Sequence, residues 1–151
     1  MLRQDDQNVV YEKSDDGVVW SLLQYVSPMG RKAIDDWRDG LLVQRRADCD
    51  VFLRNLVKLP KWRFPDVDSL TGRKFSGFYE LRWKSQKVPH RIGGYFGENG
   101  TFVMLVGWTH NAKKYDPPMA LELLPKRKKQ ILTKEATTCV FTIFTGRAIT
   151  K

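Results

Sequence analysis

The chain is poor in the residues that build metal centres and disulfide frameworks. It holds two cysteines and two histidines in 151 residues, and Cys49 and Cys139 stand far apart with no CxxC spacing. With only His90 and His110 to join them, no metal site is expected, and two lone thiols suit a reducing compartment. The signature of a phosphate-cradling loop is missing too. Gly93-Gly94 has neither GxGxxG nor GK[ST] around it, so it reads as a β-bulge or a close backbone approach, and no cofactor is expected. No Ser or Cys has a recognisable nucleophile setting, which leaves covalent hydrolase chemistry without support. Apolar runs extend only a few residues, whereas a membrane span needs about 20. Met1-Leu2-Arg3-Gln4-Asp5-Asp6 lacks the apolar segment of a secretory signal. The expectation is a soluble cytoplasmic protein with no membrane partner.

What is present points to one globular domain over residues 1–151. Apolar residues make up 42% and charged residues 28%, close to globular averages, which excludes wholesale disorder. The net charge of +9 is unevenly placed. Residues 1–72 carry 11 Lys/Arg against 12 Asp/Glu, and residues 73–151 carry 15 against 5, so the second half alone has a balance of +10. Such a field recruits polyanions, of which nucleic acid is the commonest. The plainer alternative is a solvated basic face with no ligand.

Along the chain, residues 8–12 and 18–26 are β-rich runs around Ser14-Asp15-Asp16-Gly17, a hairpin or a ragged entry into one strand. Ser27-Pro28 supplies an N-cap and a first helical residue. A short helix through Ala33, Ile34, Trp37 and Leu41 ends near Gly40. A second helix places Val43, Ala47, Val51, Leu53, Leu56 and Val57 on one stripe, with Arg45, Arg46, Asp48 and Asp50 opposite. The two form a helical hairpin packed on a sheet. Residues 60–77, punctuated by Pro60, Pro65, Gly72 and Gly77, read as a loop. Three strands follow at 78–84, 88–96 and 101–109, with a turn at Gly97-Glu98-Asn99-Gly100. The third is apolar on both faces and so central. Asp116-Pro117-Pro118 opens a last helix, which Pro125 should kink or split. Thr137 to Phe144 reads as one more strand, a C-terminal extension within residues 133–151. The fold class is α+β.

In phase with these strands lies an ordered series: Gly77-Phe78-Tyr79-Glu80-Leu81-Arg82, His90-Arg91-Ile92, Gly107-Trp108, Lys113-Lys114 and Tyr115-Asp116-Pro117-Pro118. It resembles the RelE/HigB-like toxins of type II toxin–antitoxin systems (the RelE/ParE superfamily), above all the phage-derived HigB-like branch. The likeness covers about residues 73–132. Residues 1–72 match only in element order, and the strand after residue 133 is an addition to the usual pattern.

The resemblance implies a RelE-like, antiparallel-rich sheet, with the helical hairpin on one face, a C-terminal helix and a basic concave surface. It implies a toxin that enters the ribosomal A site and cuts mRNA through the RNA's own 2′-hydroxyl, with no metal. A cognate antitoxin, a small helix-turn-helix protein, would be the partner. Such chemistry needs cations against the charge growing on phosphorus and a group that moves protons. Strand alternation puts Arg91 opposite Ile92 and beside Arg82 and Glu80. Arg91 matches the family's arginine at the scissile phosphate, although a salt bridge with Glu80 would also explain it. Lys113, Lys114 and Tyr115 fall where the family places groups near the cut. Tyr115 could stack on a base or move a proton. His90 is in phase with the core, which leaves His110 as the acid–base candidate. Arg82, Lys84 and Lys87, with Lys126, Arg127, Lys128 and Lys129, are expected to grip RNA phosphates in a salt-dependent way or to meet an acidic antitoxin segment. Two other functions fit the same scaffold: a ParE-like gyrase inhibitor that cuts nothing, and a phage-derived accessory protein that binds nucleic acid.

Overall fold

The computed structural model describes residues 17–143. The chain runs β1 (Ser21–Val26), α1 (Ala33–Asp39), α2 (Val43–Leu56), β2 (Val67–Ser69), a 3-10 turn at Arg73–Phe75, β3 (Tyr79–Ser85), β4 (Val88–Phe96), β5 (Thr101–Asn111), β6 (Lys114–Asp116), α3 (Ala120–Leu132) and β7 (Thr137–Val140). The strands form one open sheet ordered β2-β3-β4-β5-β1-β7, with β6 paired to β5. Only β1 runs parallel to its neighbour β5, and the other pairings are antiparallel. This is an α+β fold. Residues 8–12, read above as a strand, lie outside the described residues.

β5 is central because its apolar residues serve two cores. Phe102 and Met104 pack with Ile34, Cys49, Leu53 and Leu56 from α1 and α2. Val103, Leu105, Val106 and Trp108 pack with Ala120 and Leu124 from α3. The helices therefore lie on opposite faces, and α3 covers part of the face that the family resemblance leaves open. A bulge divides the strand: Gly93 pairs with Val106 but Gly94 with Met104, so Leu105 has no partner on β4. The Gly93-Gly94 step is required there. A Cβ on Gly94 would lie 1.9 Å from the Val103 carbonyl oxygen, where no side chain fits. After the bulge, Gly107 faces α1, and a Cβ on it would lie 2.3 Å from the Trp37 indole.

Several expectations are corrected. α1 begins at Ala33, not at Pro28. The Ser27 hydroxyl instead accepts from the Met29 and Arg31 amides in a closed turn. The helix N-terminus is satisfied from β1, where buried Gln24 accepts from the Ile34 and Asp35 amides at 3.0 and 2.9 Å and donates to the Asp35 carboxylate. α2 presents Cys49, Leu53 and Leu56 to the sheet, while Val43 and Val51 are exposed. Asp50, assigned above to the polar side, is buried in a two-pronged pair with Arg38 of α1 at 2.7 and 2.6 Å. The loop at 60–77 contains β2 and the 3-10 turn. Pro125 does not split α3, which runs unbroken from Ala120 to Leu132, with Ala120 and Leu124 packed on the sheet before the proline and Arg127 bonded to the Leu105 carbonyl after it. β7 covers Thr137–Val140 of the strand expected over Thr137 to Phe144 and forms the sheet edge beside β1; residues 141–143 lie in no strand, and Phe144 is outside the described residues.

No described helix is long and apolar enough to cross a membrane.

Candidate nucleic-acid interface

On the face that carries α3, β2, β3 and β4 bear a half-buried cluster of charged side chains. Alternation places Glu80 and Arg82 of β3 there, with Arg91 of β4 directly opposite Arg82. Arg91 Nε lies 3.7 Å from one Glu80 oxygen and Arg82 Nε 3.8 Å from the other, so one carboxylate sits between two guanidiniums. Arg82 also donates to Asp68 of β2 at 3.2 Å, and Arg91 donates to the His90 carbonyl at 3.1 Å. The salt bridge offered above as the plain explanation of Arg91 is therefore present. It does not use up the group, because both Glu80 contacts are longer than a hydrogen bond.

Burial dominates the electrostatics. It pushes the Glu80 pKa above the ordinary carboxylate value, with Arg91 and Arg82 pulling the other way and His110 near enough to add to that pull. Burial also lowers the Arg91 pKa, opposed by Glu80. An arginine remains charged throughout. The Glu80 side chain is 17% exposed, which makes it reachable by a ligand yet poorly hydrated.

The end of β5 brings in the next two groups. His110 pairs with Tyr115 of β6, their rings 4.6 Å apart edge to face, and Tyr115 stacks on Trp108, the residue opposite Arg91. Arg82, Arg91, Glu80, His110 and Tyr115 thus occupy one neighbourhood. Lys113 sits exposed in the β5–β6 turn, whereas Lys114, next to Tyr115 in the same strand, emerges on the opposite side. The structure thus does not bring Lys114 to the same face as Tyr115. Lys84 and Lys87 are exposed at the β3–β4 hairpin, at the same sheet end as Lys113.

The basic run of α3 divides by helical phase. Lys126 and Lys129 are exposed. Arg127 is not a free phosphate grip: it donates to the Leu105 carbonyl at 2.7 Å and lies over the Tyr25 ring at 4.7 Å. It satisfies the residue that the bulge leaves unpaired. Lys128 lies over the rings of Tyr95 and Phe78, at 4.7 and 5.4 Å. His90 is buried as expected, its Nδ1 2.8 Å from the Val88 carbonyl oxygen, and burial lowers its pKa.

No family model, no curated protein and no solved structure matches the chain. Among the described residues, no three His, Cys, Asp or Glu side chains gather where a metal ion could be held. A cavity of about 360 Å³ lies across β5, lined by Tyr25, Trp37, Gly107, Pro117 and Arg127, away from Arg91. Glu80 is the functional candidate that sequence reasoning undervalued, taking it only as an ion-pair partner. Its phase on β3 was visible, but its desolvation depends on the folded surroundings.

Proposed function

We propose that this chain is a RelE/HigB-like toxin: a metal-independent endoribonuclease that cuts mRNA in the ribosomal A site and is restrained by a small helix-turn-helix antitoxin. The observation that carries the reading is the placement of Glu80 between Arg91 and Arg82, with His110 close by, on the face of the sheet that carries α3. The ordered motif series adds the family and hence the ribosome and the antitoxin.

The chemistry follows from the roles these groups suit. Arg91, assisted by Arg82, takes the non-bridging oxygens of the scissile phosphate and stabilises the charge that develops there. Glu80, with its raised pKa, accepts the proton of the 2′-hydroxyl as that oxygen attacks phosphorus. His110, with Tyr115 holding its ring edge-on, returns a proton to the departing 5′-oxygen. The products are a 2′,3′-cyclic phosphate and a 5′-hydroxyl. Lys84, Lys87 and Lys113 flank the site and supply sequence-blind affinity.

Primer extension on transcripts from expressing cells tests the reading. Breaks phased with codons are expected. Intact transcripts accompanied by damaged DNA would replace it with gyrase inhibition, and intact transcripts in unharmed cells would leave only nucleic-acid binding.

A further inference from the structure

Phe64 is out of place by the ordinary rules of burial. Its side chain belongs to a residue 66% exposed, in a loop with exposed Lys61 and Arg63 around it. The loop is nonetheless firmly held. The Val67 amide donates to the Arg63 carbonyl at 3.0 Å, closing a turn, and the Arg82 amide donates to the Asp66 carbonyl at 2.8 Å, tying that turn to β3. The Arg82 guanidinium lies over the Phe64 ring, 5.3 Å from its centroid. A phenyl ring has two faces, and Arg82 takes one.

We infer that the second face of Phe64 is a stacking platform for a nucleobase, beside the phosphate held by Arg91 and Arg82. The inference rests on the active-site reading above and adds a base subsite to it. Three features favour an RNA base over another apolar occupant. The ring adjoins the paired guanidiniums, Arg91 being the cross-strand neighbour of Arg82. Cations on both sides, Lys61 and Arg63 along the loop and Arg82 beneath, draw a phosphodiester strand to this lip. Stacking on an aromatic face tolerates any base, which suits a lone ring with no hydrogen-bonding side chain of its own. Through its contact with Arg82, an occupied platform also fixes the guanidinium that helps to hold the phosphate. Phe64 is therefore a positioning residue.

The test measures binding of a fluorescent single-stranded RNA pentanucleotide, made uncleavable by 2′-deoxy substitution, and of the same strand with abasic sugars. Phe64→Ala is expected to weaken the intact strand by about five- to hundredfold, to leave the abasic strand bound as the wild type binds it, and to be rescued by Phe64→Trp. If Phe64→Ala binds the intact strand normally while Arg91→Ala loses it, the platform is overturned and the active-site reading stands. If the wild type holds intact and abasic strands equally, the platform is likewise overturned. If the wild type binds neither strand, the platform is overturned, while the active-site reading, which concerns RNA held in the ribosomal A site, is decided by the primer-extension result.

Discussion

Glu80 meets two guanidiniums and still has its pKa raised, because loss of hydration outweighs their attraction. A carboxylate in that position is a better base near neutral pH than an exposed one. The sign of its effect follows. The base works only when deprotonated, so the cleavage rate falls as the pH drops through the Glu80 pKa, which burial raises from its ordinary value. Glu80→Gln should lower the rate by roughly 10²–10⁴-fold and flatten that acid limb. Single-turnover rates across pH check this. A variant that keeps the limb would show that another group moves the proton, whereas mere displacement of Arg91 would lower the rate without changing the shape of the profile.

At the scale of the element, α3 shows how a run of like residues can hold unlike roles. Ala120, Leu124, Arg127 and Ile131 fall on one helical stripe, which turns Arg127 toward the sheet while Lys126 and Lys129 stay in water. Arg127→Met should cost about 1–3 kcal/mol in urea unfolding, by leaving the buried Leu105 carbonyl unpaired, with no change in the salt dependence of RNA binding. Lys126→Gln with Lys129→Gln should do the reverse. Equal loss of RNA affinity from both changes would restore Arg127 to the interface. That stripe was legible in the sequence, and the uniform Lys126-Arg127-Lys128-Lys129 run obscured it. β5 was legible because the short apolar stretch from Phe102 to Trp108, bounded by the turn at residues 97–100, suits a strand covered on both faces. The start of α1 was not, because its cap is the side chain of Gln24, ten residues upstream on β1, and no local pattern records a tertiary contact. α2 carries apolar residues on two sides, so periodicity alone could not select the Cys49–Leu53–Leu56 face. For the site, alternation located Arg91, Arg82 and Glu80 together, and the register of β6 was needed to separate Lys114 from Tyr115. Phe64, in a stretch bounded by prolines, has no periodic signal at all.

Over the whole molecule, the sheet acts as a rigid carrier for a cationic field that the +10 half of the chain supplies. Lys84, Lys87 and Lys113 gather at one sheet end, and Lys126 and Lys129 project from α3. The arginine pair with its half-buried carboxylate lies on the same sheet. The long-range field brings a polyanion to the face, and the short-range geometry around Arg91 does the chemistry. The most direct measurement uses purified protein, ribosomes carrying a defined mRNA, and a chelator to remove divalent ions from the toxin's reaction after the complexes are stabilised. The wild type should cut the A-site codon and leave a 2′,3′-cyclic phosphate, and folded Arg91→Ala should leave the message whole. Cutting by Arg91→Ala at the wild-type rate, or no cut by the wild type, would contradict the account.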